Sequence, residues 1–256
     1  MGLLDGKKGV IFGVANDRSI AWAISEALHA EGAELAFTYA GEVLEKRVRP
    51  LAEGIGSKII LPCDVTKDDE IKKVFDTLKS QWGGLDILIH AIAFANREDL
   101  SNPYVQTSRA GFQLALDVSA YSMVALTREA APLMEGRGGS IVTLTYLGSE
   151  RVIPNYNVMG IAKAALEASV RYLAYDLGPK NIRVNAISAG PVKTLAAAGI
   201  SGFKDMLHYA AERAPLKRNI EAEEVGRTAL YLASDLGSAV TGEVIHVDAG
   251  YNIVGM

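Results

Sequence analysis

The sequence predicts an α/β fold in which helices wind on both faces of a seven-stranded parallel sheet. Short β-branched or apolar runs alternate with longer stretches of helical periodicity, which is the pattern that a doubly wound sheet produces. The 256 residues are 49% apolar and 22% charged, a size and composition that suit one large domain. No linker, internal repeat or low-complexity segment divides the chain. We therefore expect a single Rossmann-type domain that spans residues 1–256.

Seven segments are predicted strands, and helical periodicity separates them. The strands are KGVIFGV at 8–14, AELAFTY at 33–39, KIILPCDV at 58–65, LDILIHAIA at 85–93, SIVTLTYL at 140–147, IRVNAISA at 182–189 and EVIHVDAG at 243–250. The first helix has Ser19 as its candidate cap and Gly32 as its stop. In the helix of DDEIKKVFDTLKSQWGG, one face carries the apolar residues Ile71, Val74, Phe75 and Leu78.

Two longer helices are expected near 108–134 and 156–177. Their small and apolar residues extend around much of the helix surface, as in LALDVSAYSMVALTREAA. A helix that is apolar on more than one side has to be covered on more than one side. We therefore expect these helices to pack on the sheet and on another subunit.

Charge and cysteine content exclude several classes of protein. A formal net charge of −4, with 26 basic residues interspersed among 30 acidic ones, argues against a nucleic-acid partner. The single cysteine, Cys63, cannot form an internal disulfide, and the four histidines lie too far apart for a local metal motif. No stretch reaches 18 apolar residues, and the N-terminus has neither a signal-peptide nor a myristoylation pattern. A cytoplasmic protein without a metal or a membrane span is expected.

The turn after the first strand is a candidate phosphate site. In GVANDRSIA, Gly13 allows close backbone approach, and Ser19 and Ile20 begin a helix whose first amides can hold a pyrophosphate. The usual G-x-G-x-x-G is absent, so an ordinary strand-to-helix turn is the alternative. At the end of the third strand, the Asp64 carboxylate next to Val65 can meet an adenine amino group, or it can cap the helix that follows.

The stretch TYLGSERVIPNYNVMGIAK holds the candidate chemistry. A helix that begins near Tyr156 would put Tyr156 and Lys163 two turns apart, within about 20° of the same face. In the ordinary short-chain dehydrogenase/reductase pattern, the lysine follows the catalytic tyrosine by four residues, and a serine precedes that tyrosine by thirteen. Counting from Lys163 puts Met159 in the place of the tyrosine and Tyr146 in the place of the serine. The usual carbonyl-reducing set is therefore missing.

The displaced tyrosine suits reduction of a carbon–carbon double bond conjugated to a thioester. The hydride acceptor is then the β-carbon, so the developing oxyanion lies roughly 2 Å or more farther from the hydride donor than in a carbonyl reduction. Three residues of helix move the tyrosine back by roughly 4.5 Å on the same face. Tyr156 could then donate a hydrogen bond to the enolate oxygen, where charge develops.

Five segments along essentially the whole chain resemble the enoyl-acyl-carrier-protein reductase family, a divergent branch of the short-chain dehydrogenases. They are GVANDRSIAWAI, HAIAFAN, YLGSERVIPNYNVMGIAKAALEASVRYLA, RVNAISAGPVKTLAAAGI and GEVIHVDAGYNI. The combination of Y-x6-K with SAGPVKTLAA is specific to that family. Ala91 departs from it, because many members have serine there, and this affects a contact on the cofactor side.

The resemblance implies roles for individual residues. Tyr156 would stabilise the enolate, Lys163 would bind the nicotinamide ribose hydroxyls, and Tyr146 would line or support the site. The cofactor contacts implied are Gly13, Ser19, Ile20, Ala40, Asp64, Val65, Ile92, Lys163, Val192, Thr194, Leu195 and Ala196. The substrate contacts implied are Ala95, Tyr146, Tyr156, Met159, Ile200, Phe203 and Met206. A loop at about 194–208 would cover the acyl chain.

The resemblance also implies partners and a setting. These are NADH as cofactor, an enoyl chain on acyl carrier protein as substrate, a homotetramer, and the bacterial cytoplasm or, for a mature plastid form, the stroma. NADH is expected over NADPH because Ala40, Gly41 and Glu42, just after the second strand, offer no cation for a 2′-phosphate. Lys46 and Arg47, one turn or more farther on, are the alternative phosphate partners.

Two other functions stay open from the sequence. A carbonyl or 3-ketoacyl reductase on the same fold is disfavoured because Met159 cannot donate a proton. A dinucleotide sensor without chemistry is disfavoured because Tyr156 and Lys163 are both kept. For Tyr146 alone, a half-buried packing role is the plain alternative, and the proton for the α-carbon could come through Tyr156 or from solvent.

Overall fold

The computed structural model describes residues 2–194 and 202–255. Seven strands form one sheet in the order β3-β2-β1-β4-β5-β6-β7, and every neighbouring pair is parallel. The strands are β1 Lys8–Phe12, β2 Glu34–Tyr39, β3 Ile60–Pro62, β4 Ile87–His90, β5 Gly139–Thr145, β6 Ile182–Ala189 and β7 Val244–Val247. The predicted seven-stranded parallel sheet is confirmed. The chain reverses its direction across the sheet between β1 and β4, the switch point where such folds bind ligands.

Helices cover both faces of the sheet. They are α1 Ile20–Ala30, α2 Glu42–Gly54, α3 Asp68–Trp82, α4 Arg97–Ser101, α5 Arg109–Leu116, α6 Ser122–Met134, α7 Val158–Leu177, α8 Phe203–Arg213 and α9 Ala222–Ala233. None of the helices in the described ranges is long and apolar enough to cross a membrane.

Two apolar cores lie on the two faces because successive strand residues point to opposite sides. Val10 and Phe12 of β1 pack against α3, α6 and α7, whereas Ile11 packs against α1, α2 and α9. In β4, Leu88 joins the first core and Ile89 the second. Strands that are buried on both sides carry few polar residues, which explains why the strand segments stand out in the sequence.

The long helix predicted near 108–134 is interrupted. A π-helical turn, Asp117–Tyr121, joins α5 to α6. The hydroxyl of Ser119 in this turn accepts a hydrogen bond from Phe94 N (2.9 Å) and donates one to Phe94 O (3.1 Å). The turn thus fastens the loop after β4 to the helix layer, and π-helical turns are frequent at functional sites.

The start of α7 differs from the prediction. The helix begins at Val158, so Tyr156 lies in the turn before it and not on its first turn. Asn155 and Asn157 adopt positive φ angles of 63° and 39°, which an α-helix does not allow. Asparagine tolerates this region better than most residues, so two asparagines around Tyr156 favour a turn. The helical argument for a common face of Tyr156 and Lys163 is therefore wrong.

The start of α1 also differs in detail. Ser19 occupies the N-cap position, but its hydroxyl donates to Asn16 O at 2.7 Å and makes no capping bond. The hydroxyl instead closes the turn that leads from β1 into the helix. Ser19 is therefore buried in the turn, and the first amides of α1 depend on other acceptors.

Candidate active site

A cavity of about 670 Å³ opens at the carboxyl ends of the strands. Its walls come from the loop after β4, the end of β5, the turn before α7, the loop after β6 and the first turns of α8. The lining residues are Ile20, Ala93, Phe94, Ala95, Asn96, Arg97, Leu100, Leu144, Thr145, Tyr146, Tyr156, Met159, Ala189, Gly190, Pro191, Val192, Thr194, Phe203 and Met206. Most of these side chains are apolar, so the cavity suits a hydrocarbon chain with a few polar anchors.

Two tyrosines meet on one wall of this cavity. The rings of Tyr146 and Tyr156 lie edge to face, with centroids 5.0 Å apart and planes at 72°. Burial raises the pKa of Tyr146 to about 12, with smaller contributions from Tyr251 and Asp248. Burial also raises the pKa of Tyr156, again chiefly by desolvation. Both phenols therefore keep their protons at neutral pH and can donate hydrogen bonds.

The hydroxyl of Tyr146 contacts a methionine sulfur, and the ring of Tyr156 is buried against the start of α7. The Tyr146 hydroxyl lies 3.4 Å from the sulfur of Met206 on α8. Tyr156 is 9% exposed and packs with Met159 and Ala162 of α7. The side chain of Met159 itself reaches the cavity wall. A thioether, which donates no proton, therefore lines the cavity where the sequence comparison places the tyrosine of carbonyl reductases.

Lys163 is a buried cation next to this wall. Its side chain is 5% exposed, and its Nζ donates a hydrogen bond to Leu144 O at 2.7 Å. Burial lowers the pKa of Lys163 to about 8, and the Glu167 carboxylate acts in the opposite direction. An ammonium group has three N–H donors, so the remaining donors can serve a ligand.

The turn between β1 and α1 fits a dinucleotide phosphate. A Cβ on Gly13, which has φ 107°, would lie 2.1 Å from Ala91 O, so only glycine lets β1 and the end of β4 come this close. The first amides of α1 have no acceptor within the helix and face the same end of the sheet as the cavity. Ile20, at the start of α1, lines the cavity. The turn and the cavity are thus continuous.

Asp64 makes local hydrogen bonds. Its Oδ1 accepts from Thr66 N at 3.0 Å and from Thr66 Oγ1 at 2.7 Å, and Lys67 Nζ lies 3.4 Å from Oδ2. These contacts fix the turn before α3, but Asp64 does not cap the helix, because α3 begins at Asp68 with Lys67 in the N-cap position. Val65 is buried beside it in the core.

The predicted site residues fall into three groups. Nine line the cavity, namely Ile20, Ala95, Tyr146, Tyr156, Met159, Val192, Thr194, Phe203 and Met206. Seven lie outside its lining, namely Gly13, Ser19, Ala40, Asp64, Val65, Ile92 and Lys163. Leu195, Ala196 and Ile200 lie outside the described residues. The predicted loop at 194–208 is helical from Phe203 onward, because α8 begins there.

Several residues at the site were missed from the sequence. Phe94, Leu144 and Thr145 line the cavity, and Glu167 is 7% exposed and accepts from Thr145 Oγ1 at 2.5 Å. The spacing of Glu167, four residues after Lys163, is the one signal that the sequence offered for it. The strand contact that makes this spacing matter is visible only in the structure.

Known proteins are similar to this chain in sequence and in fold. The family model described as Enoyl-(Acyl carrier protein) reductase matches residues 13–252. The enoyl-[acyl-carrier-protein] reductase [NADH] of Aquifex aeolicus is 56% identical over 256 residues, which cover 100% of this chain and 95% of that protein.

Two solved structures superpose closely. The reductase of Bacillus cereus with NADP+ and indole naphthyridinone has a TM-score of 0.97 and 56% identity, covering all of both chains. The reductase of Anaplasma phagocytophilum in complex with NAD has a TM-score of 0.96 and 53% identity, covering 100% of this chain and 97% of that one. Because the matched region and the identity extend over nearly the whole sequence, the chain belongs to the enoyl-acyl-carrier-protein reductase family.

Proposed function

We propose that this protein reduces the trans-2 double bond of enoyl-acyl-carrier-protein thioesters with NADH, as a step of fatty-acid elongation. The observation that carries the proposal is the position of Tyr156. Its protonated phenol stands on the wall of a largely apolar cavity, and the buried cation Lys163 donates to the carbonyl oxygen of Leu144, which lines the same cavity. An apolar chain and one polar reacting group are what this cavity accommodates.

The protein supplies hydrogen bonds and exclusion of water. Bound NADH supplies the hydride that is added to the β-carbon of the substrate. Tyr156 donates a hydrogen bond to the thioester oxygen, and this bond strengthens as negative charge develops there. Burial of Tyr156 removes competing water from the bond. The proton for the α-carbon comes either through Tyr156 or from solvent.

Lys163 and the α1 turn are the proposed cofactor anchors. The ammonium group of Lys163 has donors for the ribose hydroxyls, and the first amides of α1 have no acceptor within the helix and can hold the pyrophosphate. Gly13 keeps the β1 turn close to the backbone of Ala91.

A carbonyl or 3-ketoacyl reductase is the competing function. Its tyrosine would occupy the position of Met159, which lines the cavity with a thioether and cannot donate a proton. The test follows cofactor oxidation at 340 nm with crotonyl and acetoacetyl thioesters in parallel. We expect oxidation with the crotonyl thioester. Oxidation with only the acetoacetyl thioester would overturn the proposal, and oxidation with neither would favour a dinucleotide sensor.

We further propose that residues 1–256 act as one catalytic domain with acyl carrier protein as the partner that presents the acyl chain. The segment at about 194–208 is the proposed cover of the cavity. Phe203 and Met206 support this role, because they stand one turn apart on α8 and both line the cavity.

A homotetramer is proposed as the working form. Tyr172 and Tyr175 on α7 are 76% and 83% exposed, and Tyr121, the last residue of the π-helical turn before α6, is 47% exposed. Large aromatic side chains on neighbouring long helices are typical of a surface that another subunit covers. Light scattering at assay concentrations should give four times the mass of the chain. A stable monomer would contradict the proposal.

The buried, unpaired Cys63 supports a reducing compartment such as the cytoplasm, and the plastid stroma is the alternative.

A further inference from the structure

Two side chains of α7 hold the end of β5. Lys163 Nζ donates to Leu144 O at 2.7 Å, and Glu167 Oε1 accepts from Thr145 Oγ1 at 2.5 Å. Lys163 and Glu167 are one helical turn apart, and both side chains are almost fully buried. The next residue after Thr145 is the site residue Tyr146. The last two residues of β5 are therefore fixed to α7 immediately before the chain enters the cavity wall.

The titratable side chains near Lys163 lie on α7 itself, at the end of β4 and in the turn before α7. Glu167 lies on the same helix, and His90 faces Lys163 from the end of β4. Burial and, to a smaller extent, the charge of Lys163 lower the pKa of His90 to about 3, so His90 is neutral at physiological pH. Tyr156, in the turn before α7, is also protonated there. Among the residues that the structure describes, Glu167 is thus the anion that acts on Lys163.

We propose that Glu167 is a positioning residue that keeps Lys163 protonated for dinucleotide binding and, through Thr145, fixes the end of β5 that leads to Tyr146. The inference rests on the proposed function for the identity of the dinucleotide. A buried ammonium group without a nearby anion loses its proton readily. A protonated lysine forms charge-assisted hydrogen bonds, which are roughly twice as strong as neutral ones. Glu167 therefore extends the pH range in which Lys163 binds its ligand well.

The test measures NADH affinity against pH by fluorescence titration, between about pH 6 and pH 9.5, without substrate. Glu167→Gln is nearly isosteric, and its amide oxygen can still accept from Thr145, so it removes chiefly the charge. We expect the pH at which affinity falls to drop by about one unit or more relative to wild type. At the lowest pH, where Lys163 is protonated in both proteins, the affinities should agree within about threefold.

Thr145→Val is the matched control, because it removes the hydrogen bond and keeps the carboxylate. We expect its pH midpoint to stay at the wild-type value while its thermal stability falls, and Thr145→Ser should recover that stability. Glu167→Asp keeps the charge with a shorter side chain and should have a midpoint between wild type and Glu167→Gln. This variant provides the comparison if Glu167→Gln does not fold.

Two results would overturn the inference alone. One is a wild-type midpoint in Glu167→Gln, or in Glu167→Asp where that variant stands in for it, with normal NADH binding by the wild-type protein. The other is an equal shift in Thr145→Val, which would mean that Glu167 acts only through structure. Wild-type protein that binds no NADH at any pH would instead overturn this inference together with the proposed function.

Discussion

Two buried charges stand at opposite edges of the same sheet. Lys163, at the carboxyl edge, is 5% exposed and donates one hydrogen bond within residues 2–194 and 202–255, to Leu144 O. Asp86, at the amino edge just before β4, is 6% exposed. It accepts from Lys8 N at 2.9 Å and from Arg137 Nη2 at 3.3 Å, and Lys7 Nζ lies 3.8 Å away.

The difference separates a charge that holds the fold from a charge that serves a ligand. The oxygens of Asp86 are supplied with donors, and its cations are half exposed, which limits the cost of desolvating the group. The ammonium group of Lys163, in contrast, has N–H donors beyond the one that bonds to Leu144 O, although the group is buried. A buried polar group whose hydrogen-bond donors are not all satisfied destabilises the folded protein, and such groups are concentrated at functional sites. Substitution of Tyr156 or Lys163 at the carboxyl edge should therefore chiefly change kinetics and binding, and substitution of Asp86 at the amino edge should chiefly change stability.

The largest effect is expected for Tyr156→Phe at the carboxyl edge. Turnover should fall by about 10²- to 10³-fold, because one hydrogen bond to the developing oxyanion is lost. The affinity for NADH should stay within about threefold of wild type, since the hydroxyl is needed once the enolate forms. Steady-state kinetics and isothermal titration measure the two quantities. Lys163→Ala is the companion variant and should weaken NADH binding. An equal loss of binding in both variants would contradict this division of labour.

At the amino edge, Asp86→Ala should lower the free energy of unfolding by about 2–3 kcal/mol. The substitution leaves the Lys8 amide without its acceptor and Arg137 without its carboxylate. The value of kcat/KM should stay within about twofold, because the site lies at the other edge. Chemical denaturation and kinetics at one pH test both statements. Asp76→Ala is the matched control, since Asp76 is 61% exposed and, within the part of the chain that the structure describes, forms an ion pair with Lys72 alone, and it should leave stability unchanged. A large loss of activity in Asp86→Ala would break the comparison.

His90 is a buried ionisable group at the carboxyl edge that should weaken the fold in acid. Its Nδ1 contacts Thr143 Oγ1 at 2.7 Å and its Nε2 contacts Ser122 Oγ at 2.9 Å. Burial lowers its pKa from 6.5 to about 3, so between these values the unfolded chain binds more protons than the folded one. Stability is therefore lost as pH falls through this window.

The expected contribution of His90 is about 2 kcal/mol between pH 7 and pH 5. The measurement compares the change in the free energy of unfolding between these two pH values for wild type and for His90→Gln. The variant should lose less stability on acidification, whatever its stability at pH 7. Equal losses in both proteins would show that His90 already carries a proton in the folded state at pH 5.

The smallest effect concerns exposed charges near the end of β2. Glu42 begins α2, and Lys46 and Arg47 lie about one turn farther on and are exposed. We expect kcat/KM for NADH to exceed that for NADPH by at least roughly tenfold, which corresponds to about 1.4 kcal/mol. Parallel assays with one enoyl substrate at fixed salt measure the ratio. Equal or reversed values would mean that Lys46 or Arg47 reaches the 2′-phosphate, and alanine at both positions would then restore the preference for NADH.

The sequence was most informative where one local pattern decides the structure. Six of the seven predicted strands contain the observed one, because strands buried on both faces are largely apolar, and β5 begins at Gly139, one residue before its predicted start. The observed strands are often shorter at the carboxyl end, where the chain leaves the sheet to form the site. Tyr156 and Lys163 were predicted as site residues from their spacing, and the helical reason given for that spacing was wrong because α7 begins at Val158. Two asparagines with positive φ decided the turn, and their conformation depends on the fold around them.

Contacts between distant segments could not be predicted from the sequence. Glu167 has a helical spacing to Lys163, but its bond to Thr145 depends on how α7 lies along β5. Ser119 and Phe94 are 25 residues apart and meet only because the π-helical turn brings them together. Such contacts depend on the relative placement of whole elements, which no local pattern records.

The π-helical turn has a further consequence for how the layer is assembled. Each added residue rotates the rest of an α-helix by about 100°. The turn at Asp117–Tyr121 changes the phase between α5 and α6 in this way, so that Met123 and Leu126 of α6 face the sheet core while Leu116, the last residue of α5, packs against the cluster around Tyr156. Removing one residue from this turn would bring the two helices back into phase and turn the apolar side of α6 away from the sheet. The length of this turn thus has to suit two packing contacts at once, that of α6 with the sheet core and that of Leu116 with the cluster around Tyr156.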